Sequence, residues 1–241
     1  MDIVISGKKV PVYGKNSELA VNSRQFKEWV KSLDPRFNVR SIEFQSVDVG
    51  DHGRQPQVRF IKFRADVVDS DGKPLPGIVF MRGGAVAILV ILECEGEEYT
   101  LLTLQPRFPG GFFSFSEIPA GTMEDDNFVG SAARELEEET GIKIRKEDLI
   151  DLTALVYGDK FKGVFSTVGA SDEFIRIFGF RKQVDKQYLD NLRGKRTGLA
   201  CENEQITLKV IKLKDLPLET PDAKALAALM LYETLKRLCK I

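Results

Sequence analysis

At 241 residues the chain is long enough for one generous domain, or for a domain with a substantial extra module. Its 43% hydrophobic and 29% charged residues are the balance of an ordinary soluble globular protein. Thirty-five basic against 36 acidic side chains leave a net charge of −1, which argues against a nucleic-acid partner, because phosphate-backbone affinity needs clustered excess Lys and Arg.

The first 60 residues hold a short strand over 3–12, a helical patch over 25–33 and polar connectors. Phe26, Trp29, Val30 and Leu33 fall at helix spacing, and Pro35 stops that helix. From Val58 the pattern turns to strands: 58–68 alternates, Asp69-Ser70-Asp71-Gly72 is a turn, and 78–81, 85–92, 99–104 and 112–118 follow. A helix covers about 127–140, strands recur at 174–181 and 206–213, and Thr220-Pro221 caps and opens a final helix. Strands with one helix in mid-chain and one at the end make a mixed α+β domain rather than a regular βαβ alternation. No run approaches the ~20 apolar residues of a membrane span, so no membrane partner is expected.

Cys94, Cys201 and Cys239 match no metal spacing and read as reduced thiols. The one histidine, His52, lies in Gly50-Asp51-His52-Gly53, read as a solvated polar turn, which disfavours a histidine base. The chain opens Met1-Asp2 with no basic-then-apolar signal after it, and a cytoplasmic location is expected.

Chemistry concentrates in residues 127–142, NFVGSAARELEEETGI. On a helix with Arg134 at 0°, Glu138, Glu135 and Glu139 fall at about 40°, 100° and 140°. The positions of Val129, Ala132, Leu136 and Thr140 cluster at about 160–240° on the same wheel. Three carboxylates and an arginine thus share a stripe beside an apolar stripe that must face the core. Like charges at this spacing repel, and no lysine lies between Asn127 and Ile142 to relieve them. Hard divalent cations, which prefer carboxylate oxygens, would make the arrangement favourable. Gly141 supplies the left-handed residue that ends the helix.

The run Arg134-Glu135-Leu136-Glu137-Glu138-Glu139-Thr140-Gly141-Ile142 resembles the second half of the Nudix box, R-E-U-x-E-E-x-G-U, at every fixed position. The first half departs from the pattern. Gly121 lies 13 residues before Arg134 rather than 14, and Asp126, or no residue, stands for the usual glutamate. The segments Pro76–Gly83, Gln105–Gly111 and Glu117–Gly121 look like those ahead of the box in ADP-ribose and ADP-sugar diphosphatases of the plant type. The likeness continues through Gly198-Leu199 and Asp222-Ala223-Lys224 and covers roughly residues 1 to 238.

The resemblance implies a Nudix-type mixed β-sheet sandwiched between helices over residues 66–241. A small β-rich extension over 1–65 is expected to mediate homodimerisation. It implies metal ligation by Glu135, Glu139, the Ala120 carbonyl and Glu138, with Glu138 and Glu139 also counted among the catalytic acids. Arg134 would orient the glutamates. Mg²⁺ is the expected metal, with Mn²⁺ an alternative; it neutralises the diphosphate and lowers the pKa of water. Asp172 and Glu173 are candidate bases, Glu173 preferred, against a reading as two solvated loop acids. Relatives carry Pro-Gly-Gly where this chain has Thr167-Val168-Gly169. Arg82 and Arg107 match diphosphate-gripping arginines, whose planar fork meets two phosphate oxygens; a surface arginine paired with an acid is the alternative for each. Glu117 matches an acid near the metal or ribose, or is structural. Phe108, Phe112, Phe113 and Phe115 read as core packing, with an adenine platform as the other option, and Trp29 is the alternative contact for a base across a dimer interface.

The expected activity is Mg²⁺-dependent hydrolysis of the diphosphate of nucleoside-diphosphate sugars, ADP-ribose or ADP-glucose, to a nucleoside monophosphate and a sugar phosphate. UDP-glucose as substrate and a silent ligand-sensing module are the alternatives.

Overall fold

The computed structural model describes residues 1–52, 55–123, 127–198 and 205–241. They form two compact units: residues 1–84 with 167–173, and residues 85–166 with 174–241.

The first unit contains β1 (Asp2–Ile5), β2 (Lys8–Gly14), α1 (Ser17–Asn22), α2 (Arg24–Ser32), β3 (Asn38–His52), β4 (Gln55–Val68) and β5 (Ile78–Met81). The expected strand at 3–12 is a hairpin, because Ser6 and Gly7 both take positive φ (48° and 78°) and turn the chain. The sheet order is β1-β2-β3-β4-β5, with only β2 and β3 parallel. The helix over 25–33 is present as α2, opened by Ser23, whose hydroxyl accepts from the Phe26 N–H. Trp29 packs on Phe26 and Phe63, with ring centroids 5.6 and 5.1 Å away. The aromatic face of α2 therefore covers its own sheet. The residues expected to be polar connectors form the 15-residue β3; of the polar turn expected at Gly50–Gly53, Gly50 to His52 end that strand and Gly53 lies outside the described residues.

Asp69–Gly72 turns the chain as expected, Asp69 accepting from the N–H groups of Asp71 and Lys73. Residues 167–173 join the first unit at β5, where Phe80 N–H donates to the Ala170 carbonyl at 2.8 Å.

The second unit carries β6 (Ala85–Cys94), β7 (Glu97–Arg107), β8 (Phe112–Glu117), β9 (Ala120–Thr122), α3 (Phe128–Thr140), β10 (Leu149–Asp151), α4 (Leu152–Tyr157), β11 (Val164–Phe165), β12 (Phe174–Gln183), α5 (Lys186–Leu192), β13 (Arg196–Thr197), β14 (Ile206–Lys212), α6 (Leu216–Glu219) and α7 (Ala223–Arg237). Its mixed sheet runs β10-β12-β6-β7-β14-β13, with β8 on β7, β9 on β6 and β11 on β12. The central strand β6 is buried on both faces, which explains its unbroken apolar run. Ala87, Leu89 and Ile91 enter one core with α7 residues Ala228 and Leu235. Val86, Ile88 and Val90 enter the other with α3 residues Ala132 and Leu136. The α+β sheet between helices is the class expected. Cys94 is buried and Cys239 exposed, both free thiols; Cys201 lies outside the described residues.

Candidate active site

The helix α3 is fixed at both ends by its own sequence. Asn127 caps it, accepting from the Gly130 N–H at 3.0 Å. A Cβ on Gly130 would lie 2.3 Å from the Asn127 amide nitrogen, so a side chain there would push this cap aside. Gly141 ends the helix at φ 75°, its N–H reaching the Glu137 carbonyl at 2.7 Å. Lys195 Nζ and Thr197 Oγ1 donate to the carbonyls of Thr140 and Glu139 at 3.3 and 2.5 Å. These bonds satisfy the negative end of the helix from β13 and the turn before it. Sequence reasoning did not find either capping residue.

Ala132, Leu136 and Thr140 are buried and Arg134 is exposed, as the periodicity requires. Glu139 departs from the expected exposed stripe, with only 4% exposed. At the border of the apolar stripe it is covered by β9, and its Oε2 accepts from the Ala120 N–H at 3.0 Å. Glu135 lies against the same strand. A Cβ on Gly121 would stand 1.9 to 2.2 Å from its carboxylate atoms, so the glycine is the cradle that admits the acid. Glu138 is half-buried on the next turn. Glu135, Glu139 and the Ala120 peptide thus meet on two residues of β9. All the donors are oxygens, a set that suits Mg²⁺ or Mn²⁺. Among the described residues no three His, Cys, Asp or Glu side chains stand together as a ready-made metal cluster, and Asp126 lies outside those residues.

Arg107, at the end of β7, pairs through Nε with Oε2 of Glu117, at the end of β8. The other oxygen of Glu117 takes Lys224 Nζ at 2.5 Å. Glu117 is therefore a buried acid between two cations, a role that its position before Ile118-Pro119 alone did not reveal. The expectation that Phe108 and Phe113 pack in the core is not met: they are 93% and 91% exposed. The turn Phe108–Gly110, closed by Gly111 at φ 77°, carries Phe108 outward, and the rings of Phe112 and Phe115 lie tilted with centroids 4.9 Å apart.

In the first unit the structure brings together Arg82, Asp172 and Glu173. Asp172 accepts from the backbone N–H groups of Arg82 at 2.9 Å and of Gly83 at 3.2 Å. Glu173 Oε1 stands 3.2 Å from Arg82 Nε. Burial pushes the Asp172 carboxyl above its ordinary value, opposed by these backbone hydrogen bonds. His52 ends β3.

The NUDIX domain family matches residues 81–230. The chain is 40% identical over 229 residues to Nudix hydrolase 14, chloroplastic, of Arabidopsis thaliana, covering 90% of this chain and 72% of that one. A solved structure described as an ADP compounds hydrolase shares the fold at TM-score 0.50 and 16% identity, over 85% of this chain and 99% of that one. With the domain match spanning the carboxylate helix and both capped ends that hold it, the chain belongs to the Nudix hydrolase family.

Proposed function

We propose that this hydrolase cleaves the diphosphate bond of nucleoside-diphosphate sugars, ADP-ribose or ADP-glucose, in a Mg²⁺-dependent reaction. The observation that carries the reading is the meeting of Glu135 and Glu139 on Ala120-Gly121. The solved structure sharing the fold is described as acting on ADP compounds, and the intact carboxylates argue against a silent sensor.

Glu135, Glu139 and the Ala120 carbonyl would hold the divalent metal, with Glu138 beside them. When bound, the metal neutralises phosphoryl charge and makes water a better nucleophile. The chain's own residues supply the rest. Arg107 offers its guanidinium to a phosphoryl oxygen, and Arg82 is proposed for the same task. Phosphoryl transfer rests on such positioning and charge stabilisation more than on covalent chemistry. Of the two acids after Thr167, Glu173 is the proposed base. Asp172 already gives its oxygens to backbone N–H groups, whereas Glu173 meets the side chain of Arg82. Exposed Phe108 and Phe113 offer ring faces to a base.

A homodimer built through the N-terminal residues and a cytoplasmic location belong to the same proposal. No helix among the described residues is long and apolar enough to cross a membrane, and the Arabidopsis relative is named chloroplastic.

The test is product analysis by chromatography and mass spectrometry. Protein with Mg²⁺ meets ADP-ribose, ADP-glucose and UDP-glucose separately. AMP with the matching sugar phosphate supports the reading; UMP alone moves the substrate to UDP-glucose. Binding without cleavage of any of the three would make the chain a sensor.

A further inference from the structure

Four charged side chains form a line across the second unit. Asp222 caps α7, its Oδ1 accepting from the Lys224 N–H at 3.3 Å and from Lys224 Nζ at 3.0 Å. Lys224 Nζ also donates to Oε1 of Glu117 at 2.5 Å, and Oε2 of Glu117 takes Arg107 Nε. The line darkens inward: the side chains of Asp222, Lys224 and Glu117 are 8%, 15% and 8% exposed, that of Arg107 42%. Its placement is rigid, because Thr220 Oγ1 donates to the Ser116 carbonyl at 2.5 Å and accepts from the Asp222 N–H at 3.1 Å. The start of α7 is thereby pinned to the strand that carries Glu117.

Stability alone gives no reason for this line. A buried ion pair roughly breaks even against apolar residues of equal volume, because desolvation offsets the attraction. Here a further cost is visible: Asp222 Oδ2 is buried with no hydrogen-bond partner among the described residues. What the line does determine is the direction of Arg107. Were Glu117 held by Arg107 alone, the guanidinium fork would take both carboxylate oxygens, the preferred bidentate pairing. Here Lys224 is on Oε1 and Arg107 pairs with Oε2 through Nε only, while its two Nη groups make no hydrogen bond among the described residues.

We propose that Lys224, held by Asp222, is a positioning residue for Arg107: by sharing Glu117 it keeps the Arg107 Nη edge turned out for a phosphoryl oxygen of the substrate. The inference rests on the reading of Arg107 as a diphosphate-binding arm and goes beyond it by naming what sets that arm.

The experiment is a double-mutant cycle on binding, with ADP-ribose as probe and EDTA present so that no turnover is required. Isothermal titration compares the wild type with Arg107→Ala, Lys224→Met and the double variant. Losing a charged hydrogen bond weakens binding by about tenfold or more. Lys224→Met is expected to weaken binding by a similar factor, the double variant to be no weaker than Arg107→Ala, and Lys224→Arg to recover most of the loss. A lysine that only supports the fold would lower the melting temperature and leave the Kd unchanged, or its effect would multiply with that of Arg107→Ala; either result overturns the proposal. If Arg107→Ala itself binds as the wild type does, the substrate-arm reading falls and the positioning role falls with it. Should Lys224→Met not fold, Glu117→Gln interrupts the same line and enters the cycle in its place.

Discussion

Replacing Gly121 by alanine tests the active-site geometry through one methyl group. The added Cβ would lie 1.9 Å from Glu135 Cδ and 2.0 and 2.2 Å from its oxygens, where ordinary contact begins at 3.4 Å. Gly121 is not among the glycines with positive φ, so alanine meets no backbone strain and the whole perturbation falls on Glu135. To clear the methyl, the carboxylate must retreat by more than about 1 Å, a misplacement that costs about 10²-fold in rate. Overpacking of this kind costs about 1–3 kcal/mol of stability, or several degrees in Tm for a chain of this size. The assay is kcat for ADP-ribose hydrolysis with Mg²⁺, alongside thermal unfolding. Gly169→Ala is the control, since nothing lies within 4 Å of its added Cβ, and it should stay within about 0.5 kcal/mol of the wild type. A folded Gly121→Ala protein with wild-type kcat would show that Glu135 has no part in the reaction at this place.

Glu139→Gln keeps an oxygen that can accept from the Ala120 N–H and removes the charge. Hydrolysis measured at saturating substrate should fall by at least about 10²-fold with Tm little changed; surviving turnover would refute the ligand assignment. Asp172→Asn preserves an acceptor for the Arg82 and Gly83 N–H groups. Because burial raises the Asp172 pKa, the folded state binds its proton more tightly than the unfolded chain. That acid therefore subtracts stability as pH rises through its folded pKa, and the subtraction is absent below its ordinary value of 3.8. The variant should be more stable than the wild type at pH 7, with the gain vanishing in denaturant titrations as pH falls below about 4; a gain that persists in acid would contradict the sign. Leu136→Ala opens the core beneath α3, where Leu136 is fully buried, and should cost about 2–5 kcal/mol in chemical denaturation.

Much of the fold was legible because burial leaves a period. The unbroken run of β6 marks a strand covered on both faces, and Asn127 and Gly141 mark the ends of α3. The long β3 escaped notice because register shifts at Val39/Ser41 and Phe44/Ser46 break its alternation, so Val39, Ile42, Phe44 and Val47 do not keep the two-residue spacing. The last helix begins two residues later than its Thr220-Pro221 signal suggests: Asp222 is the cap, and Thr220 instead ties α7 to Ser116. Angular position placed Glu139 at the edge of the apolar stripe but could not show the strand lying over it. The tie between Lys224 and Glu117 spans 107 residues, a distance at which no local pattern carries information. Phe113 and Phe115 alternate like core residues, yet Phe113 faces solvent, as does Phe108 in the tight turn before it.

Metal binding to the wild type, Glu135→Gln and Glu139→Gln tests the central claim most directly. Mn²⁺ is titrated under electron paramagnetic resonance, with Mg²⁺ as competitor and no substrate present. The two carboxylates that meet at Ala120-Gly121 predict that Mg²⁺ displaces Mn²⁺ from the wild type and that each variant binds Mn²⁺ at least about tenfold more weakly. Equal Mn²⁺ affinity in all three folded proteins would place the metal elsewhere and contradict the account.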